Sequence, residues 1–180
     1  MCGIAGFVGP LGVAAPAVRR WGETLAHRGP DGLGIAVLGP RCVETHGEPG
    51  RIGPGAKAVL WHRRLAILDL SAAGAQPMRS ADGRYHLILN GEIYNYLELR
   101  AELETHGVRF RSHSDTEVLL EAFARWGVQV LPRLVGMFAF AVLDTSARKV
   151  VLARDPFGIK PLHVAHGEGW FAFASEPKAL

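Results

Sequence analysis

The strongest constraint on the fold is a succession of short apolar segments that follows the chain from its first residues to its last. Most of these segments stop at Gly, Pro, Asn or Asp, which is typical of β-strands separated by turns. The predicted strands cover residues 3–8, 33–38, 41–46, 58–61, 65–68, 85–89, 137–143, 150–153, 162–165 and 170–174. Gly39-Pro40 predicts a hairpin between two of them. Many strands around a few helices favour an α+β fold.

Helical periodicity is limited to a few stretches between these strands. Residues 14–26 have apolar side chains at helical spacing. Asn95, with Glu98 three residues later, predicts the N-cap of a second helix, and Ser114-Asp115-Thr116-Glu117 is a stronger capping box that opens a third. The third helix should turn these side chains inward: Val118, Leu119, Ala122, Phe123 and Trp126. A further short helix is predicted over 130–134.

Length and composition exclude several classes of protein. The 180 residues fit one domain with a real core. The formal charge of +3 is scattered, and no basic run with interleaved aromatic residues predicts a nucleic-acid partner. The longest apolar run, 137–143, is far too short to cross a bilayer, so no membrane partner is expected.

The N-terminus and the cysteines indicate the compartment. No basic region precedes the apolar stretch at residues 3–8, so the start of the chain does not read as a signal peptide and a cytoplasmic location is expected. Cys2 and Cys42 are too few for a disulfide framework, and a reducing compartment keeps both as thiols. The histidines lack paired Cys/His spacing, so no metal site is expected.

Cys2 is the first residue with a chemical interpretation. A small residue at position 2 permits removal of Met1, which leaves Cys2 with a free α-amine whose ordinary pKa is about 8. This amine can take the thiol proton directly or through water, so one residue supplies both nucleophile and base. The alternative interpretation is a small buried cysteine in an edge strand.

Asn90-Gly91-Glu92 follows an apolar strand and is the second candidate. The Asn90 side-chain amide and the Gly91 N–H, placed at the end of the strand, would supply two donors for the oxyanion of a tetrahedral intermediate. Glycine would allow the sharp backbone that this orientation requires. The alternative is a plain Asn-Gly hairpin turn, although Glu92-Ile93-Tyr94-Asn95 does not resemble a returning strand.

Arg64 and Asp115 could together recognise a free amino acid. Arg64 could clamp its carboxylate with two hydrogen bonds, and Asp115, assisted by Glu92, could pair with its ammonium group. Taken singly, Arg64 could be a surface arginine and Asp115 a favourable acid in the first turn of its helix.

Together these stretches resemble the class II glutamine amidotransferase domain, and most closely the N-terminal glutaminase half of glutamine-dependent asparagine synthetase. The resemblance extends in family order over essentially the whole chain. It rests on Met1-Cys2-Gly3-Ile4-Ala5-Gly6, His27-Arg28-Gly29-Pro30-Asp31, His62-Arg63-Arg64-Leu65-Ala66-Ile67, Gln76-Pro77-Met78, Asn90-Gly91-Glu92-Ile93-Tyr94-Asn95, Ser114-Asp115-Thr116-Glu117, Gly136-Met137-Phe138-Ala139-Phe140-Ala141, Arg154-Asp155-Pro156-Phe157-Gly158-Ile159-Lys160-Pro161-Leu162 and Ala174-Ser175-Glu176.

The resemblance implies a four-layer αββα sandwich of the N-terminal-nucleophile type over residues 2–180. It implies that Cys2 attacks the side-chain amide of glutamine, that a thioester forms and that glutamate and ammonia are released. Asn90 and Gly91 match the oxyanion-hole pair. The glutamine-binding positions match Arg64, Asn90, Gly91, Glu92 and Asp115. The loops at 27–31 and 154–162 match segments that frame the site, without a catalytic step.

The chain lacks the Ser-Gly-Gly-Leu-Asp-Ser type of phosphate loop that the synthetase domain of this family contains. The resemblance therefore implies no cofactor here, with ATP and Mg²⁺ expected only in a missing synthetase domain or subunit that uses the ammonia. Two alternatives stay open. One is the amidotransferase domain of another class II family, or of a relative that amidates a different carboxylate. The other is a module that has lost catalysis and senses glutamine.

Overall fold

The computed structural model describes residues 1–10, 15–47, 52–53 and 55–180. Its strands are β1 (Gly3–Val8), β2 (Gly32–Leu38), β3 (Cys42–His46), β4 (Ala58–Arg64), β5 (Met78–Arg79), β6 (Tyr85–Ile93), β7 (Gly136–Asp144), β8 (Lys149–Arg154), β9 (His163–Gly167) and β10 (Trp170–Ala174). Its α-helices are α1 (Ala15–Thr24), α2 (Tyr96–Thr105) and α3 (Asp115–Trp126). Short 3₁₀ helices cover Ala26–Arg28, Ala72–Gly74, Gly127–Arg133 and Pro177–Ala179. None of the described helices is long and apolar enough to span a membrane.

The strands form two antiparallel sheets. The first has six strands in the order β3-β2-β4-β1-β10-β9, and the second has four in the order β5-β6-β7-β8. The predicted hairpin is confirmed, because Leu38 pairs with Cys42 across Gly39-Pro40. The first and last strands of the chain are neighbours, with Ala5 opposite Ala174.

Apolar side chains fill three layers between these elements. Ile4, Leu60 and Ile88 belong to the core between the two sheets. Trp21 of α1 packs with residues of the outer face of the six-stranded sheet, and α3 belongs with Leu89 to the core on the outer face of the four-stranded sheet. The order is helix, sheet, sheet, helix, so the predicted αββα sandwich is confirmed.

Strand alternation brings polar residues to one end of the layer between the sheets. Side chains two residues apart in a strand share a face. Cys2, two residues before Ile4, therefore lies on the same inner face of the first sheet as Ile4. Arg64, four residues after Leu60, lies on that face as well. Asn90 follows Ile88 onto the inner face of the second sheet. The antiparallel pairing of Gly3 with Arg63 places the beginning of β1 beside the end of β4.

Several local predictions differ from the structure. The predicted strand at residues 65–68 is absent, and β6 continues through Asn90-Gly91 to Ile93 where the sequence predicted its end. Ser114 caps α3 as predicted, its hydroxyl accepting the Glu117 N–H at 3.2 Å. Asn95 precedes α2 as predicted, but its side chain does not cap the helix. That side chain instead bonds to the backbone at residues 133 and 135.

Candidate active site

One cavity lies at the polar end of the layer between the sheets. Its volume is about 140 Å³. The structure brings all the candidate residues of the sequence to its lining, namely Cys2, Arg64, Asn90, Gly91, Glu92 and Asp115. The backbone segment from Leu65 to Asp69, together with Gln76, Thr116 and Lys160, completes most of the remaining wall.

The Cys2 thiol is held by the backbone of one residue. Its Sγ lies 3.4 Å from the Leu65 N–H, which donates to it, and 3.6 Å from the Leu65 carbonyl oxygen. The backbone of Cys2 is fixed from the other side, because Arg28 Nε donates to its carbonyl oxygen at 2.9 Å. Arg28 is itself paired with Glu176 at 2.9 Å. The position of the thiol is therefore fixed by the segment after β4 and by the two ends of the chain.

The electrostatics around Cys2 favour a protonated thiol. Burial raises the pKa of the Cys2 thiol, and the negative charge of Asp115 acts in the same direction. The Leu65 N–H, the N-terminal ammonium group and Arg64 oppose this shift but do not cancel it. A protonated thiol is a weak nucleophile, so reaction at this cysteine requires a base close to the sulfur.

The Gly91 N–H points toward the cavity because of the register of β6. Residues of β6 and β7 alternate between pairs that are hydrogen-bonded and pairs that are not. Tyr94 and Val135 form a hydrogen-bonded pair, because the Tyr94 N–H donates to the Val135 carbonyl oxygen. Gly91 and Phe138, three positions further along the ladder, therefore form a pair that is not hydrogen-bonded. The Gly91 N–H consequently points away from β7, toward the opposite edge of β6. The N–H groups of Leu89 and Ile93 point in the same direction.

Side chains satisfy the N–H groups on either side of Gly91 along this edge. The Leu89 N–H donates to Gln76 Oε1 at 2.7 Å, and the Ile93 N–H donates to Asp115 Oδ2 at 2.9 Å. Gly91 lies between them and lines the cavity. Within the described residues, no side chain accepts its N–H. This donor is available to a ligand.

The reason for glycine at position 91 differs from the prediction. Gly91 lies within an extended strand and not in a sharp turn. A Cβ atom there would lie 2.2 Å from the Met137 carbonyl oxygen and 2.6 Å from the Phe138 Cα. The close approach of β7 therefore excludes a side chain, and the strand keeps its register with the N–H facing the cavity.

The Asn90 side chain is a buried polar group without a protein partner. It is 1% exposed, and neither its amide nitrogen nor its oxygen bonds to any other described residue. Buried amides are nearly always paired, because an unpaired one retains its desolvation cost. An amide that faces a cavity in this state is poised to bond to a ligand.

Arg64 lies against the cavity wall in a fixed orientation. Its guanidinium donates to the carbonyl oxygen of Ser71 at 2.9 Å and also to that of Asp69. Gly74 lies under the guanidinium, since a Cβ at this position would come within 2.3 Å of Nη2. A guanidinium has five N–H donors, so donors remain for an anion.

Asp115 provides the opposite charge. It is 5% exposed at the start of α3, and its Oδ1 lies 3.5 Å from the Thr116 hydroxyl. Burial raises the pKa of the Asp115 carboxyl, and the nearby Glu92 adds to this effect against the Ile93 and Thr116 N–H groups. A cation bound in the cavity would stabilise the charged form of this carboxylate.

Sequence reasoning gave no role to several residues that shape the site. Gln76 links β6 to α3, because its amide oxygen accepts the Leu89 N–H and its amide nitrogen donates to the Thr116 hydroxyl at 3.1 Å. Gln76-Pro77-Met78 was among the matching stretches, so a signal for it existed. The Leu65 N–H is a backbone group, so the residue type at position 65 does not indicate its role. That role depends on the path of the chain after the end of β4.

A family model described as a glutamine amidotransferase domain matches residues 49–180. This range contains Arg64, Asn90–Glu92 and Asp115 and begins after Cys2.

Curated relatives match over the whole chain. A protein of Mycobacterium tuberculosis (strain ATCC 25618 / H37Rv), provisionally named a glutamine-hydrolysing asparagine synthetase, is 45% identical over 193 residues, which cover 100% of this chain and 28% of that protein. Glutamine-hydrolysing asparagine synthetase 1 of Bacillus subtilis (strain 168) is 38% identical over 185 residues, 100% of this chain and 26% of that one. The chain thus spans about a quarter of the length of these relatives.

A solved structure shares the fold. Glutamine phosphoribosylpyrophosphate amidotransferase from B. subtilis, complexed with ADP and GMP, superposes with a TM-score of 0.81 at 27% sequence identity. The superposition covers 99% of this chain and 42% of that chain.

Proposed function

The chain belongs to the glutamine amidotransferase family, and on this basis we propose that it hydrolyses glutamine to glutamate and ammonia, with the Cys2 thiol as nucleophile. One observation carries the proposal. One cavity is lined by a thiol, by two donors at Asn90 and Gly91 that no described residue accepts, and by the opposite charges of Arg64 and Asp115. These are the groups that amide hydrolysis of a free amino acid requires.

Substrate binding uses the two charged side chains. Arg64 takes the α-carboxylate of glutamine, and Asp115, assisted by Glu92, takes the α-ammonium group. Both are held by backbone bonds and need little reorganisation, which favours tight binding of a small polar ligand. The substrate is thereby oriented with its side-chain amide toward Cys2.

Chemistry begins after Met1 has been removed. The free α-amine of Cys2 accepts the thiol proton, and the sulfur bonds to the amide carbon of the substrate. The Asn90 amide and the Gly91 N–H donate to the oxyanion that develops on the amide oxygen. The C–N bond then breaks, the leaving nitrogen takes the proton from the amine, and ammonia departs. Water hydrolyses the thioester to glutamate and restores the thiol.

The whole protein is proposed to transfer this ammonia to a carboxylate. The support is that curated relatives named as glutamine-hydrolysing asparagine synthetases match over all of this chain while being about four times as long. We propose a synthetase domain or subunit as the partner, with ATP and Mg²⁺ confined to that part and no cofactor in this one. A cytoplasmic location belongs to the same proposal, because a reducing compartment preserves the Cys2 thiol.

The test compares the two cysteines of the chain. Glutamate release is measured for Cys2→Ala and, as the matched control, Cys42→Ala, after mass analysis has confirmed Met1 removal. Cys42 lies in β3, outside the lining of the cavity, and burial raises the pKa of its thiol to about 11. We expect Cys2→Ala to lose all activity with an unchanged fold and Cys42→Ala to keep it. Glutamate release by Cys2→Ala would refute the proposal, and glutamine binding without hydrolysis by the wild-type chain would favour a sensing module.

A further inference from the structure

Lys160 is a buried lysine in the cavity that the mechanism above does not use. Lys160 is 6% exposed and lines the same cavity as Cys2 and Arg64. Lysine is rarely buried to this extent unless a charge partner accompanies it. Its presence beside the nucleophile therefore requires an explanation.

The backbone around Lys160 is rigidly held. Asp155 Oδ2 accepts the Lys160 N–H at 3.0 Å and the Phe138 N–H at 3.3 Å, while Asp155 Oδ1 accepts the Ile159 N–H at 2.9 Å. The Lys160 carbonyl oxygen accepts a bond from Arg154 Nε at 2.7 Å. These bonds anchor the loop after β8 to the start of β7, which itself lies opposite Gly91. The backbone position from which the lysine side chain extends is thus a fixed feature of the site.

Within the described part of the chain, the ammonium group of Lys160 makes one hydrogen bond. It lies 3.4 Å from Met1 Sδ, a weak acceptor. In the described part of the chain no carboxylate comes within 4.0 Å of it, in contrast to Lys178, which pairs with Glu176 at 3.0 Å. Removal of Met1 takes away the sulfur and creates a free α-amine at the nitrogen of Cys2, in the same small cavity.

Building on the proposed function, we propose that the Lys160 ammonium group keeps the α-amine of Cys2 in its neutral, proton-accepting form. A positive charge close to an amine disfavours the protonated amine, as a like charge does for any ionisable group. The thiol of Cys2 stays protonated in this site, so a neutral amine is needed at the start of each turnover. Lys160 acts through the amine and is a positioning residue, not a group that touches the substrate.

The other positive charges near this amine are compensated once glutamine is bound. Among the described residues, the charged side chains that line this cavity or bond to Cys2 are Arg28, Arg64, Asp69, Glu92, Asp115 and Lys160. Arg28 is paired with Glu176. In the proposed complex Arg64 pairs with the carboxylate of glutamine and Asp115 with its ammonium group. Glu92 opposes the effect of Lys160 and limits its size, as does Asp69, whose carboxylate also accepts bonds from Ser71 and His113. Lys160 is then the cavity-lining cation that neither a carboxylate of the described residues nor that of glutamine pairs with.

The proton balance shows when this influence matters. The amine accepts the thiol proton as the S–C bond forms, and returns it to the leaving nitrogen as the C–N bond breaks. An amine that starts protonated cannot accept the thiol proton, and the thiol does not attack. One nearby like charge shifts a titration by about 1 unit, so at a pH well below the ordinary value of about 8 the neutral fraction changes about tenfold.

The first test is the pH dependence of kcat for Lys160→Met, with Lys160→Arg as the control that keeps the charge. Methionine keeps most of the length of the side chain without its charge. We expect the acid limb of the Lys160→Met profile to move up by about 1 unit, with about tenfold lower kcat near pH 6.5 and convergence toward wild type near pH 9. Lys160→Arg should retain the wild-type profile. A Lys160→Met profile parallel to wild type, or lowered equally at every pH, would overturn the inference.

A second test does not depend on turnover. In Cys2→Ala, Met1 removal leaves the free α-amine on the new alanine, without a thiol that titrates beside it. The ¹⁵N shift of this amine is followed against pH in Cys2→Ala and in Cys2→Ala/Lys160→Met, with and without glutamine. A midpoint about 1 unit higher in the double variant supports the inference, and equal midpoints contradict it even if Lys160→Met is poorly active. If wild type releases no glutamate, the proposed function fails, and this titration still decides the role of Lys160.

Discussion

Replacing Asn90 by alanine should lower catalysis without lowering stability. The Asn90 amide is 1% exposed and bonds to no other described residue, so the folded chain retains the desolvation cost of this group. Such an unpaired buried group costs about 1–3 kcal/mol. Removal of the amide should recover part of this desolvation cost, while the van der Waals contacts of the side chain are lost. We expect the free energy of unfolding to stay constant or to rise by about 1 kcal/mol.

The effect on the reaction should be large. Loss of one oxyanion donor costs about 10²–10³ in kcat. Because the donor acts mainly on the charge that develops in the transition state, KM for glutamine should change much less. The assays are glutamate release under initial-rate conditions and urea unfolding followed by circular dichroism, both on protein with Met1 removed.

Asn95→Ala is the matched control, because its amide is satisfied. Its nitrogen donates to the Arg133 carbonyl oxygen and its oxygen accepts the Val135 N–H, each at 2.9 Å. We expect this substitution to cost about 1–2 kcal/mol of stability and to leave kcat unchanged. Two results would refute the reasoning about Asn90. One is a loss of stability in Asn90→Ala as large as in Asn95→Ala, and the other is an unchanged kcat.

Two further predictions concern charged groups. Asp115→Asn should raise KM for glutamine about 10- to 100-fold through loss of a charge-assisted bond. The wild-type KM should also rise as pH falls through the raised pKa of Asp115, whereas the KM of the variant should vary less over that range. A parallel pH dependence of KM in both proteins would count against the assignment. Burial raises the pKa of Glu176, but Arg28, Lys178 and His27 outweigh it and lower that pKa to about 2 from 4.5. The stabilisation is complete above about pH 4.5 and is lost as pH falls toward about 2, so Glu176→Gln should be less stable than wild type at pH 7, with a gap that closes in acid. Equal thermal midpoints at pH 7 would show that this carboxylate stabilises nothing.

The α+β class of the fold was predictable because strand periodicity and helix caps are local signals, whereas the order of the four layers was implied only by the family resemblance. The segments at 3–8 and 137–143 are apolar throughout, and both became strands of the core. The boundary at Asn90-Gly91 was wrong because both residues have low strand propensity and form the commonest hairpin signal. Pairing with β7 overrides that signal, and Asp115 satisfies the next free N–H of the strand. Tertiary contacts thus extend β6 by residues that would otherwise turn.

The candidate residues of the site were predictable from their chemistry and from the family resemblance, whereas their supports were not. Cys2, Arg64 and Asp115 carry groups with an obvious use. The Leu65 N–H, the Gln76 bridge and the buried Lys160 gain meaning only when distant segments meet. Asn95 illustrates the opposite error, since a residue typical of helix caps was drawn into a bond across 40 positions of the chain.

The neighbouring positions of β1 and β10 have a consequence for biosynthesis. Ile4 donates to the Ser175 hydroxyl at 3.0 Å across 171 positions, and Glu176 secures the arginine that holds the carbonyl of Cys2. On the ribosome, β1 can pair with β4 early, but its second neighbour β10 is the last strand to be made, and such distant pairings form slowly. The reactive thiol is therefore among the first groups translated and among the last to be seated. A nascent chain that has not reached Glu176 should consume no glutamine.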